Sequence, residues 1–168
     1  AISEGGYELS GKRRIASTSV LAANTVQCVT AGTFYPVMSI RLNSNTLDSI
    51  VVPKQIGLLP INQANYQWKV VNNPTLTGAV WANAASDSTV QYNTNTAATM
   101  SGGDVLDTGF ITSTVQAGGV VNLGDGNLFN YQLERNSFTN TATIFTLAAA
   151  CGTATSNVAG SIAWEEIT

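Results

Sequence analysis

Short runs rich in valine, isoleucine, threonine and aromatic residues recur along this chain roughly every 10 to 15 residues, parted by clusters of Asn, Gly, Ser or Pro. That rhythm is the pattern of an all-β sandwich or barrel. We expect strands over 15–21, 25–30, 35–42, 49–53, 66–71, 79–83, 89–92, 105–112, 120–123, 128–135, 141–147 and 160–165. Several of these alternate apolar and polar residues, as a strand buried on one face does. Tyr66, Trp68 and Val70 fall opposite Gln67 and Lys69, and Phe129, Tyr131 and Leu133 fall opposite Asn130, Gln132 and Glu134. Ile162 and Trp164 likewise oppose Ser161, Ala163 and Glu165. Such strands suit an antiparallel sheet. The best helix candidate is the alanine-rich segment from Phe145 to Cys151, which stops at Gly152. At that length a helix has little stability of its own, and a strand end running into a loop fits equally well. Turn chemistry is explicit in Gly124-Asp125-Gly126-Asn127, Ser101-Gly102-Gly103-Asp104 and Asn72-Asn73-Pro74.

A chain of 168 residues suffices for one domain with its own core. The aperiodic start predicts an extended N-terminal arm over 1–12, followed by one antiparallel β-sandwich or jelly-roll-like domain over 13–168. Only 10% of the residues are charged, against about 25% in an ordinary globular protein. The surface must therefore draw its polarity from Thr, Ser, Asn and Gln, residues that compete with a helical backbone for hydrogen bonds. Net charge is −3, so no general basic field exists to hold nucleic acid. The one basic run, Lys12-Arg13-Arg14, is a candidate docking arm for an acidic partner, or a solvated face. No apolar stretch reaches the roughly 18 residues that span a bilayer, and no membrane partner is expected.

Histidine is absent, which removes the common nucleophile–base pairs and every His-containing metal site. Carboxylate pairs of the glycosidase kind remain, and Asp104 with Asp107, Glu165 with Glu166, and Asp125 with Glu134 are the pairs that could be nominated. In a chain with so few acids, solvated turn and strand-end carboxylates are the better reading. Asp125 lacks the ligand spacing of a calcium loop. No catalytic residue, metal site or cofactor is expected. Cys28 and Cys151 lie far apart in sequence, and could form a disulfide or remain two small buried thiols. Trp81, in a segment without a clear polar face, is a candidate contact for a glycan or a protein partner. The one Asn-x-Ser/Thr triplet, Asn73-Pro74-Thr75, is disqualified for glycosylation by its proline.

Two regions resemble a β-rich module of tailed-bacteriophage virion proteins, found in tail fibres and other exposed components. In the first, the likeness is carried by Pro36-Val37-Met38-Ser39-Ile40-Arg41-Leu42, Asn72-Asn73-Pro74-Thr75-Leu76-Thr77-Gly78-Ala79, Asp87-Ser88-Thr89-Val90-Gln91-Tyr92, and Ser101-Gly102-Gly103 leading to Gly109-Phe110. In the second, Phe129 to Arg135 and Ser161-Ile162-Ala163-Trp164-Glu165-Glu166 resemble the closing strands of such proteins. The resemblance covers about two-thirds of the chain and consists of strand and turn patterns, so it carries over no catalytic residue. It implies a non-enzymatic structural protein on the exterior of a virion, often a homotrimer, in contact with major capsid or tail proteins. The compact, shaftless chain suits a capsid decoration or short head fibre. The alternative is a tail-fibre or adhesin-type module that binds host surface glycans.

Overall fold

In the computed structural model of the chain, the described residues are 11–18, 24–113, 119–122, 132–136 and 138–167. They are nearly all β, as expected, in antiparallel sheets. In chain order the strands are β1 (Gly11–Ser17), β2 (Val26–Cys28), β3 (Tyr35–Leu42), β4 (Ile50–Pro60), β5 (Ala64–Asn72), β6 (Thr75–Thr77), β7 (Trp81–Asn83), β8 (Val90–Asn93), β9 (Thr99–Ser101), β10 (Asp104–Ser113), β11 (Gly119–Asn122), β12 (Arg135–Asn136), β13 (Thr141–Ala142), β14 (Ile144–Cys151) and β15 (Ser156–Ile167).

Two sheets enclose the core. One has five strands, ordered β1-β15-β4-β11, with β2 pairing the early part of β15 on the side where β1 pairs the later part. The other has six, ordered β10-β5-β14-β3-β8-β7. Tyr66, Trp68, Val70, Ile40, Leu42, Phe145 and Leu147 from the six-stranded sheet meet Val51, Ile56, Val158, Ile162 and Trp164 from the five-stranded one. The layers approach closely at Gly160, where a Cβ atom would stand 2.5 Å from Val37 Cγ1 and 3.2 Å from Leu147 Cδ2.

The alanine-rich segment resolves as strand β14, not helix. It lies between β5 and β3, and every residue from Phe145 to Cys151 is buried, so its place in the sheet overrides alanine's helical preference. Strand β4 runs past the expected stop at Pro53. Ala163 pairs with Gln55 and Trp164 with Pro53, so the register shift leaves Lys54 as the extra residue of a bulge beside the proline. The 128–135 expectation yields only β12 at its end, with residues 128–131 outside the described set.

Strands β6 and β9 were not foreseen. The chain leaves β5 near one edge of the six-stranded sheet and enters β7 at the other, then returns from β8 to β10. The two crossings pair with each other as β6 and β9, and β9 packs against β3. They account for the burial of Ser39 and Thr146, which alternation directs away from the core and whose hydroxyls hydrogen-bond each other at 2.8 Å. Asn73, with φ of 54°, and Gly102 and Gly103, with φ of 68° and 89°, make the turns that start and end this excursion.

Candidate functional site

The basic triplet is built into the fold. Gly11 and Lys12, expected in the arm, already belong to β1, while residues 1–10 lie outside the described set. Strand alternation splits the triplet between two faces. Arg13 points outward with Glu165 and donates to Gln55 Oε1 at 2.9 Å. Lys12 and Arg14 share the face of Glu166 and Trp164 and meet Asp87, which lies between β7 and β8, at 3.2 and 2.7 Å.

Glu166 is the centre of this cluster. Its side chain is 3% exposed, and its carboxylate accepts from Ser88 Oγ at 2.5 Å, Trp164 Nε1 at 2.9 Å and the Thr89 backbone N–H at 3.1 Å. Arg14 Nε adds an ion pair at 3.2 Å. Burial alone would raise the carboxyl's pKa. The hydrogen bonds from Ser88, Trp164 and Thr89, together with the Arg14 charge, outweigh it and hold the pKa below the ordinary carboxylate range. Hydrogen bonds from Lys12 and Arg14 depress Asp87 in the same direction. The cluster therefore ties β1 and β15 of one sheet to the β7–β8 connection of the other, and Arg14 is a clasp residue instead of a free docking group.

Of the carboxylate pairs, Glu165 and Glu166 face opposite sides of β15, Asp104 and Asp107 are exposed on one face of the edge strand β10, opposite Asn72 and Val70, and Asp125 lies outside the described residues. Among the described residues no group of three or more His, Cys, Asp or Glu side chains converges as a metal site would.

Cys28 and Cys151 do come together, one from each sheet, as free, buried thiols. Cys151 Sγ lies 3.6 Å from the Cys28 carbonyl oxygen, and Cys28 Sγ lies 3.9 Å from that of Ala149. Burial, followed by the neighbouring Cys151, pushes the Cys28 thiol up to about 12. Such a thiol is almost wholly protonated at neutral pH and inert.

Trp81 sits at the start of β7, the edge strand opposite β10, and is half-buried. The Arg41 guanidinium stacks 4.2 Å from its ring centroid, so one face is already occupied. Arg41 in turn donates to Gln91, and Gln91 and Asn43 donate to Asn83, fixing a small polar network beside the ring.

Sequence patterning did not single out the most exposed apolar side chains, Ile15 at 62%, Phe110 at 76% and Phe138 at 97%. For Ile15 a signal existed. Continuing the alternation of Arg13 and Arg14 into β1 leaves either Ile15 or Ala16 facing water, and the structure buries the smaller one. For Phe110 the signal is masked by a bulge between Val105 and Asp107, which resets the alternation of β10. Gly109 then faces Trp68, whose ring occupies the space a Cβ would need, and Phe110 faces outward.

No protein-family model matches the chain, and neither a curated protein nor a solved structure matches it.

Proposed function

We propose that this chain is a non-enzymatic structural subunit that assembles with copies of itself, as a homotrimer, on the exterior of a virion. The observation that carries self-assembly is the outward face of the five-stranded sheet. There β1 buries Ala16 and exposes Ile15, while β4 exposes Leu59 and the next residue, Ile61, is 40% exposed. Between them on this face lie Ser161 and Gly57, half-buried, with Ala159 and Ala163 buried at 5% and 2%, small side chains that keep the surface low enough for a second sheet or strand to approach. Exposed large aliphatic residues around a smooth, charge-poor centre have the composition of a subunit contact.

The non-enzymatic reading is supported by full engagement of Glu166, the one buried acid among the described residues. Placement on a phage particle rests on the sequence resemblance, which does not choose between capsid decoration, head fibre and tail fibre; the compact chain suits a capsid decoration or short head fibre. Tail-fibre attachment is the alternative.

Size-exclusion chromatography with light scattering on the whole chain tests assembly. The expected mass is about three times the 17.5 kDa protomer, and Ile15→Lys or Leu59→Lys should reduce it to one. Immunogold labelling of particles would then separate capsid from tail. A chain that stays monomeric at high concentration and is missing from particles would end the proposal.

A further inference from the structure

The six-stranded sheet carries a second feature on its outward face, at the end where β14 closes on Cys151. The register places Phe110 of β10, Gln67 of β5 and Ala150 of β14 side by side. Phe34, just before β3, lines the same hollow, as do Asn65 and Gly152. Ala150 and Gly152 keep its floor low, with an aromatic ring in the lining on β10 and another beside β3. The hollow is open to solvent and has a volume of about 470 Å³, within the roughly 300 to 1,000 Å³ of small-ligand sites.

Its polar groups are oriented. Gln67 Nε2 donates to Thr108 Oγ1 at 3.1 Å, which leaves the Gln67 carbonyl oxygen available. Thr112 Oγ1 donates to Asn65 Oδ1 at 3.1 Å, which leaves the Asn65 amide hydrogens available. Threonines on β10 thus hold both carboxamides, one ready to accept and the other ready to donate. No carboxylate lines the hollow, and the nearby Lys69 places its ammonium 4.1 Å from the Phe34 ring centroid.

This chemistry discriminates among ligand classes. An acidic ligand would find only Lys69, already engaged with a ring. A purely aliphatic ligand would strip water from two carboxamides and return no hydrogen bonds, a net penalty. A flat ring with an apolar face and hydroxyls at its rim matches both the aromatic lining and the amides. We propose that the hollow between Phe34 and Phe110 binds one neutral pyranose ring. The site lies on the opposite side of the sandwich from the self-assembly face, so either proposal can fail without the other.

Saturation-transfer NMR on the whole chain, with the methyl glycosides of glucose, galactose, mannose and N-acetylglucosamine as probes, provides the test. At least one glycoside should receive saturation at its ring C–H protons. Phe110→Ala should weaken binding about tenfold, corresponding to loss of about 1.4 kcal/mol of aromatic contact. Gln67→Ala should weaken it as well, and Phe110→Trp should restore it. Phe110 is 76% exposed, so its removal leaves the fold intact, and circular dichroism checks this. Phe138→Ala, on the hairpin between β12 and β13, should leave binding unchanged. Failure of all four glycosides to bind, or equal binding by Phe110→Ala, would overturn the proposal. So would a fall in oligomer mass on Phe110→Ala, which would make the hollow a contact between copies.

Discussion

Glu166→Ala should destabilise the domain more than any other single loss of charge. Its carboxylate is 3% exposed, receives three hydrogen bonds and is paired with Arg14. Removing one partner of a buried ion pair costs about 3–5 kcal/mol, because the other charge is left without compensation. Arg14 retains Asp87 at 2.7 Å and is 13% exposed, which places the cost at the lower end. Ser88 Oγ keeps a bond from the Val90 N–H, whereas Thr89 N–H and Trp164 Nε1 lose the carboxylate acceptor. The total is about 3–4 kcal/mol, a fall in Tm of about 6–16 °C for a domain of this size. Urea unfolding followed by tryptophan fluorescence at pH 7 measures it directly. Glu166→Gln, which keeps the shape and loses the charge, should cost about half as much. The folded-state pKa of Glu166 lies below its unfolded value of about 4.3, so the ionised group contributes fully above that pH. Its contribution disappears as pH falls through the folded pKa. Stability of the native chain should therefore decline toward pH 3 more steeply than that of Glu166→Gln. A Glu166→Ala chain within about 0.5 kcal/mol of native at pH 7 would refute the clasp.

The buried hydroxyl pair offers a double-mutant cycle. Ser39→Ala or Thr146→Val should each cost about 1–2 kcal/mol by leaving one buried hydroxyl unpaired, while the double variant should recover most of that loss in the same unfolding assay. Gly160→Ala should cost about 1–3 kcal/mol by driving a methyl group into Val37 and the backbone oxygen of Gly57, read as a lower urea midpoint at unchanged slope. Both cysteines should resist Ellman's reagent at pH 8 in the folded chain and react at once in denaturant, and rapid labelling of the native protein would contradict their burial.

Local pattern carried the fold a long way. Strand β3 was legible to its ends because Tyr35–Leu42 is rich in β-forming apolar residues and is bounded on its far side by Asn43. The alternation read in β5 and β15 also matches the buried faces found there. What failed locally were elements defined by distant partners. Thr75–Thr77 and Thr99–Ser101 have no apolar run of their own, and exist as strands because two crossings of one sheet face bring them together. The alanine run in β14 carries no period because both of its faces are covered, and a strand buried on both faces cannot advertise itself by alternation.

The clasp was illegible for a related reason, since Arg14 and Glu166 are brought together only by antiparallel pairing of the first described strand with the last. Sequence placed Lys12, Arg13 and Arg14 together as one positive patch, but a strand sends neighbours to opposite faces. Sliding β1 by one residue along β15 would turn Arg14 outward and bring Ile15 to the inner face in place of Ala16. Arg13 would then take Arg14's place opposite Trp164, so Glu166 would keep a cation, but Ile15 would have to enter space now filled by a methyl group. Hydrophobic pattern alone would favour that slip, since it buries the larger side chain. The tight space at Ala16 opposes it, and so packing at that position, and not the charge pair, keeps Ile15 on the surface, where the proposed contact between copies needs it.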